Sequence, residues 1–282
     1  MKRVKILALC VGSLLVVNVV VWGASAKANT SYLQVSFLDV GQGDAILIQS
    51  PTGNQVLIDG GRGEIVLQKI SSIMPFYDKS IDVVIGTHPD LDHIGGLPYV
   101  YDAYEVAYSV DSGAESDTSA FRGYKERRDK EGSVYLSVRR GDVFHLGGGA
   151  ELVILFPDRD VSQGDANDGS IIAMLTYGET AVMLTGDASK KIERHILSLD
   201  GVALESTILK AGHHGSKTSS DELFVATIAP QFAVISASEN NSYGHPHPEV
   251  MDVLSRHVKT VLSTAESGTV TFVGDGKEFW IK

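Results

Sequence analysis

Thr87-His88-Pro89-Asp90-Leu91-Asp92-His93-Ile94-Gly95-Gly96 follows directly on Ile81-Asp82-Val83-Val84-Ile85-Gly86, a β-branched apolar run of the kind that forms a buried strand. The strand is expected to end at His88, and Gly95-Gly96 to turn the chain into a helix over Leu97–Ala103. Two imidazoles and two carboxylates, His88, Asp90, Asp92 and His93, are thereby packed at one strand end. Asp90 and Asp92 repel each other unless a cation neutralises them. Nitrogen and oxygen ligands without a thiolate suit zinc, manganese or iron rather than a soft metal.

Working outward, short strands and helices alternate without a long linker or a repeat. Strands are expected at Tyr32–Asp39, Ala45–Gln49 and Gln55–Ile58, broken by turns at Gly41-Gln42-Gly43-Asp44 and Pro51-Thr52-Gly53-Asn54. Glu64–Met74 has a helical pattern. Residues 104–140 are polar and irregular and read as a helix plus loops. Strands resume at Leu152–Phe156, Ser170–Tyr177, Ala181–Thr185, Thr207–Lys210, Phe232–Ser236 and Val258–Ser263. Helices are expected at Ser189–Leu199, Ser220–Ile228 and Pro248–Arg256, and a hairpin at Thr269–Ile281. Two such halves suggest two packed sheets with helices outside.

Three further strands end in polar chemistry. Ala181–Thr185 runs into Gly186-Asp187, Thr207–Lys210 into Gly212-His213-His214-Gly215-Ser216, and Phe232–Ser236 into Tyr243-Gly244-His245-Pro246-His247-Pro248. Ligand sites of layered sheet folds gather where strand ends point outward together. Six of the nine histidines lie in these loops and the decapeptide, which argues for one joint metal site. His145, His195 and His257 fall elsewhere and read as structural or surface residues.

The 282 residues suffice for a sizeable core. Met1–Ala28 differs from the rest: Lys2, Arg3 and Lys5 precede an apolar run over Ile6–Gly23, and small residues follow. This is the form of a signal peptide, and the run is also long enough for an N-terminal membrane anchor. The expected domain then spans 29–282, exported and either secreted or held at the outer face of the cytoplasmic membrane. The only cysteine, Cys10, lies in the leader, so a cleaved product has neither disulfides nor thiolate ligands. Losing four basic residues and no acidic one takes the net charge from −11 to −15. Such a field argues against general nucleic-acid binding, although bound metals or a local basic patch reverse it near one site. Phe121-Arg122-Gly123-Tyr124-Lys125-Glu126-Arg127-Arg128-Asp129-Lys130 is the one basic cluster with interleaved aromatics. It reads either as a strand guide that stacks bases or as a mixed-charge exposed helix, and three nearby acids favour the second.

The runs Phe37–Asp44, Leu57-Ile58-Asp59-Gly60-Gly61 and Thr87–Gly96 resemble the metallo-β-lactamase superfamily. With Asn167-Asp168-Gly169-Ser170, Leu184-Thr185-Gly186-Asp187, His213–Ser216 and Tyr243–Pro248, the chain is similar to the ComEC competence branch in particular, over about residues 33–275. The resemblance implies an α/β fold, the four-layer αβ/βα metallo-β-lactamase sandwich, with two divalent metal ions, zinc or manganese, at one edge. It implies that His88 and Asp90 hold the first ion, and that Asp92, His93 and His214 hold the second, with Asp187 bridging. His214 is preferred to His213 because it directly precedes glycine. Asp59 and His213 are placed behind the ligands, Asp59 orienting the metal loop. The usual third ligand of the first ion is missing. Asn167 or Asp168 is left to fill it, or the first site is weak.

Two such ions lower the pKa of a shared water and supply hydroxide near neutral pH. Catalysis is assigned to Asp92 and to His245, whose ring could protonate a leaving alkoxide. Substrate contacts are assigned to Ser216, Lys217, His245 and His247. The branch implies phosphodiester hydrolysis with DNA as the leading substrate, and no obligate protein partner. With at most one membrane segment, the chain cannot be the channel of the full competence proteins. Other readings are a hydrolase of another phosphodiester such as a phosphocholine-bearing envelope polymer, a lactone or β-lactam hydrolase, and a metal-poor binding module. The Asp90 substitution and the His245/His247 loop rank the lactone and β-lactam readings lower, and the nearly complete ligand set argues against the last.

Overall fold

Strands of this chain are apolar on consecutive residues because both faces of each sheet are covered. In β2 (Ile46–Gln49), Ile46 and Ile48 point between the sheets while Leu47 points outward beneath helices. The computed structural model describes residues 32–282, so the expected leader over 1–28 lies outside the described residues. Among the described residues, no helix is long and apolar enough to cross a membrane.

The first sheet has eight strands. Its order is β15 (Phe279–Ile281), β14 (Val270–Gly274), β1 (Leu33–Phe37), β2, β3 (Gln55–Ile58), β4 (Ser80–Gly86), β5 (Glu105–Asp111) and β6 (Val134–Ser137). β1, β2 and β3 pair antiparallel, whereas β3 through β6 run parallel. The second sheet has seven strands. Its order is β13 (Thr260–Ser263), β12 (Phe232–Ile235), β11 (Ile208–Lys210), β10 (Thr180–Leu184), β9 (Ile172–Tyr177), β8 (Ala150–Phe156) and β7 (Val143–Gly147). Here β10 through β13 run parallel.

Helices α1 (Ile65–Ser71), α2 (Leu91–Ile94), α3 (Leu97–Ala103) and α4 (Ser119–Glu131) belong to the first half. Those of the second are α5 (Lys190–Asp200), α6 (Glu222–Ile228), α7 (Pro248–His257) and the short α8 (Thr264–Ser267). Three cores result. One lies between the sheets, around Val35, Phe37, Ile85, Leu152, Val234 and Phe272. A second joins the first sheet to its helices through Leu47, Val84, Val100 and Tyr124. The third joins the second sheet to its helices through Met183, Ile196, Phe224, Ile235 and Leu254. This is the four-layer sandwich.

Residues 104–140 hold more order than their sequence suggests: β5 and β6 extend the parallel sheet on either side of α4, and β7 likewise was not expected. β5 alternates buried Val106 with exposed Glu105 and Ala107, and β6 is exposed along its whole length. A partly exposed strand such as β5 and an exposed edge strand such as β6 carry little apolar periodicity. Within α4, Phe121 and Tyr124 are buried. Lys125 pairs with Glu115, Arg127 with Asp102, and Arg128 with Asp111 and Asp129. The mixed-charge helix is therefore the form this segment takes, with no free aromatic face for a base.

Candidate metal centre

Three backbone loops are laced together at one edge of the first sheet. Asp44 N donates to Asp92 O at 3.1 Å, Gly61 N to Asp44 O at 2.8 Å, Gly60 N to His93 O at 2.7 Å, and Gly96 N to Gly61 O at 2.8 Å. Glycine is required at the crossings. A Cβ on Gly96 would lie 2.0 Å from Gly60 O, and one on Gly43 would lie 2.2 Å from Asp92 O. The second sheet brings Asp187 after β10, His213 and His214 after β11, and His245 after β12 to the same edge. Asp59, His213 and His214 all have positive φ, at 59°, 48° and 54°. Left-handed backbone on non-glycine residues is costly and concentrates at functional sites.

Asp187 is the hub. Its Oδ1 is 3.2 Å from His93 Nε2, and its Oδ2 lies 3.5 Å from His214 Nε2, 3.6 Å from His213 Nε2 and 3.9 Å from His88 Nε2. Asp90 Oδ2 stands 3.6 Å from His88 Nε2, and Asp92 Oδ2 stands 3.7 Å from His214 Nε2. Two atoms each about 2.1 Å from one ion at a tetrahedral angle are about 3.4 Å apart. The donor set thus has the spacing of ligands around shared ions. Burial gives the stronger test. His88 Nε2, His93 Nε2, His214 Nε2 and Asp187 Oδ1 are all buried without a hydrogen-bond partner. Unpaired buried polar atoms are costly and rare, and four converging on one point fit a cation.

The far ring nitrogens are held. His93 Nδ1 meets Asp59 Oδ2 at 2.8 Å, and Asp59 also accepts from Thr87 N and Oγ1. His214 Nδ1 meets Ser236 O at 2.9 Å. These contacts make Nδ1 the donor and turn Nε2 inward. Asp44 approaches the same His214 Nδ1 at 3.3 Å while its Oδ2 pairs with Lys210 Nζ at 2.9 Å. Asp44, His93, Asp187 and His214 can be grouped as one cation-sized cluster. Because Asp44 faces the nitrogen already bonded to Ser236, its place is behind His214, not beside the ion. His88 Nδ1 contacts Thr87 Oγ1 at 3.1 Å, and His213 Nδ1 contacts Thr218 Oγ1 at 3.0 Å.

Electrostatics follow from this crowding. Burial alone would raise Asp187, but His214, His93 and His88 hold its carboxyl well below the usual range. Burial would likewise lower His93, and Asp187 and Asp59 lift it well above the ordinary imidazole value. His214 is raised against its burial by Asp187 and Asp44, whereas burial lowers His213. Asp90 is lowered chiefly by its contact with His88. The buried carboxylate therefore draws positive charge, which a divalent ion can supply while the imidazoles stay neutral.

The structure brings together His88, Asp90, Asp92, His93, Asp187 and His214, with Asp59 behind them. His213, expected behind the ligands, points Nε2 at Asp187 and occupies the outer side of the cluster, where a third ligand was missing. Asp168, offered for that vacancy, is turned elsewhere: its carboxylate meets Ser189 Oγ at 2.5 Å and Lys191 Nζ at 3.0 Å. Asn167 Oδ1 is buried without a partner. His245 packs its ring 5.7 Å from that of His213. His247 caps α7, its Nδ1 accepting from Glu249 N at 3.3 Å. Ser216 is buried, its Oγ accepting from Thr218, while Lys217 is exposed. Sequence reasoning assigned no role to Asp44 and Lys210. A lysine closing the apolar run Ile208-Leu209-Lys210 was the one available signal.

A family model described as the metallo-beta-lactamase superfamily matches residues 38–238. The chain is similar to ComE operon protein 3 of Bacillus subtilis, 31% identical over 263 residues, covering 85% of this chain and 33% of that protein. It is also similar to Recombination protein 2 of Haemophilus influenzae, 32% identical over 243 residues, covering 84% and 28%. Competence protein ComA of Neisseria gonorrhoeae is 28% identical over 242 residues, covering 84% and 32%. The chain spans about a third of the length of these curated relatives. Among solved structures, CmlA, a diiron beta-hydroxylase from Streptomyces venezuelae, superposes with a TM-score of 0.54 at 12% identity, covering 82% and 52%. At that identity the likeness speaks for the fold alone.

Proposed function

The chain belongs to the metallo-β-lactamase superfamily, in its ComEC competence branch, and from that premise we propose that it hydrolyses phosphodiester bonds with divalent metal ions, DNA being the leading substrate. The observation that carries the metal requirement is the set of four buried, unpartnered atoms around Asp187. His88, Asp90 and His213 would hold one ion, and Asp92, His93 and His214 the other, with Asp187 shared. Ions held there would acidify water and neutralise charge developing on a phosphoryl centre.

The protein's own groups do the rest. Asp59 and the Ser236 carbonyl keep His93 and His214 in the tautomer that leaves Nε2 free. His245, held next to His213 on a loop whose Asn241 Oδ1 accepts from His245 N at 2.9 Å, would serve proton transfer at a leaving oxygen, its ring held below the ordinary imidazole value by burial. Export belongs to the proposal too, supported by the basic-then-apolar residues 1–28.

The test is hydrolysis of bis(p-nitrophenyl) phosphate and of single-stranded DNA by the purified protein, with manganese or zinc and with a chelator. Metal-dependent cleavage of both is expected. Cleavage of the reporter alone would move the substrate to another phosphodiester, and cleavage of neither would remove the reading.

A further inference from the structure

At the mouth of the metal centre, side chains from both halves close into a ring. Arg62 Nη2 lies 3.6 Å from Asp92 Oδ2 and 3.4 Å from the Tyr243 hydroxyl. The Tyr243 ring stacks on His245 at 5.7 Å and 26°, and His245 packs edge-on against His213. His213 returns to Asp187, and Asp187 through His214 to Asp92. Tyr243 is 57% exposed although it touches this buried cluster through one intermediate ring. Its loop is fixed: Asn241 Oδ1 accepts from Tyr243 N and His245 N, and His247 N donates to Gly215 O.

We propose that Arg62 and Tyr243 form a nucleotide subsite on the rim of the metal centre, Tyr243 stacking an unpaired base and Arg62 holding a backbone phosphate. This rests on the phosphodiesterase reading and names its substrate class as single-stranded nucleic acid. His245 lies nearly parallel to the tyrosine with ring centroids 5.7 Å apart, and the exposed remainder of the Tyr243 ring can take a planar guest. A base stacked there needs no sequence and cannot be paired within a duplex. The guanidinium beside the phenol supplies an anion contact within an acidic protein. It also disfavours a quaternary ammonium headgroup, which an aromatic surface would otherwise attract, so the choline-bearing polymer fits this rim poorly.

The experiment uses the full chain, purified in detergent and loaded with manganese. It compares kcat/KM for the oligonucleotide dT8 with that for bis(p-nitrophenyl) phosphate, and measures binding of a fluorescent phosphorothioate dT8 by anisotropy. Tyr243→Ala is expected to lower the dT8-to-reporter ratio about tenfold or more, through KM, and to weaken dT8 binding equally. Tyr243→Trp should keep both near wild type. Arg62→Gln should reduce the slope of log affinity against log salt by about 0.7, one phosphate contact on a single strand. An unchanged ratio in Tyr243→Ala, or a parallel decline on both substrates that Trp fails to rescue, overturns the subsite. If the wild type hydrolyses the reporter yet neither binds nor cuts dT8, the subsite fails and the hydrolase stands. If it cuts nothing but binds dT8 through Tyr243, the subsite stands and the phosphodiesterase reading fails.

Discussion

The two halves of the metal centre are built differently. On the inner side, His93 and His214 are buried and are backed by charge or by backbone: Asp59 behind one, Ser236 O with the Asp44–Lys210 pair behind the other. On the outer side, His88 and His213 are backed only by threonine hydroxyls. Asp90 there is 45% exposed, against 19% for Asp92. A carboxylate behind an imidazole raises its basicity and fixes its ring, and a neutral hydroxyl does so less. The inner side is therefore expected to hold its ion tightly, and the outer side to exchange its ion and to meet the substrate.

Asp187 belongs to both halves, so Asp187→Ala should produce the largest loss. Metal content by mass spectrometry should fall towards zero and hydrolysis to background, and full activity in that variant would remove the shared-ligand assignment. His214→Ala and His213→Ala then separate the halves. Calorimetric titration with manganese should show the tight phase lost in the first, and in the second the tight phase kept with the weaker one weakened about 10- to 100-fold. Equal losses would mean that the halves are not distinct.

Lys210→Met should act only on the inner side. It leaves Asp44 charged and buried with only His214 beside it, which costs up to about 3–5 kcal/mol of stability. Adding Asp44→Leu should recover most of that stability in a denaturant melt. The double variant should still bind the inner ion about tenfold more weakly, because His214 has lost its charged support. Recovery of metal affinity along with stability would make the pair merely a packing element.

The inner side also carries a pH signature. His93 and His214 are raised above the ordinary imidazole value of 6.5, so the folded, cation-free protein binds protons that the unfolded chain releases. The stability they contribute is full below pH 6.5 and is lost as pH rises through their folded values. A divalent ion displaces those protons, so its affinity should rise with pH over the same interval. Melting temperatures with chelator and with manganese should diverge above pH 6.5. Parallel curves would separate these imidazoles from the ion.

Much of the inner side was legible because its residues are locally marked. Asp92 and His93 lie in the decapeptide, and Asp187 and His214 each follow an apolar strand and adjoin glycine. What supports them was not legible. Asp44 belongs to a turn of the first sheet and Lys210 to the end of a strand in the second, and only packing of the two sheets makes them partners. His213 and His214 each adjoin one glycine, His214 directly preceding its own, but it is two adjacent left-handed residues that decide which ring faces Ser236. The sandwich itself was readable from its apolar strands, except where exposed edge strands erased the periodicity, as at β6.

The same lesson applies to the two places where basic and aromatic residues meet. Helix α4 concentrates them in sequence, yet buries both aromatics and pairs Lys125, Arg127 and Arg128 with carboxylates. Arg62 and Tyr243 are far apart in sequence, yet meet at 3.4 Å beside the metal centre. Exposed ion pairs such as Arg127–Asp102 contribute about 0–1 kcal/mol. Lys125→Ala with Arg127→Ala should accordingly leave dT8 affinity within about twofold and shift stability by about 0.5 kcal/mol or less. A tenfold loss of dT8 binding in that double variant would route the strand over α4, and would make local crowding of charge a better guide to the binding face than exposure beside the metal centre.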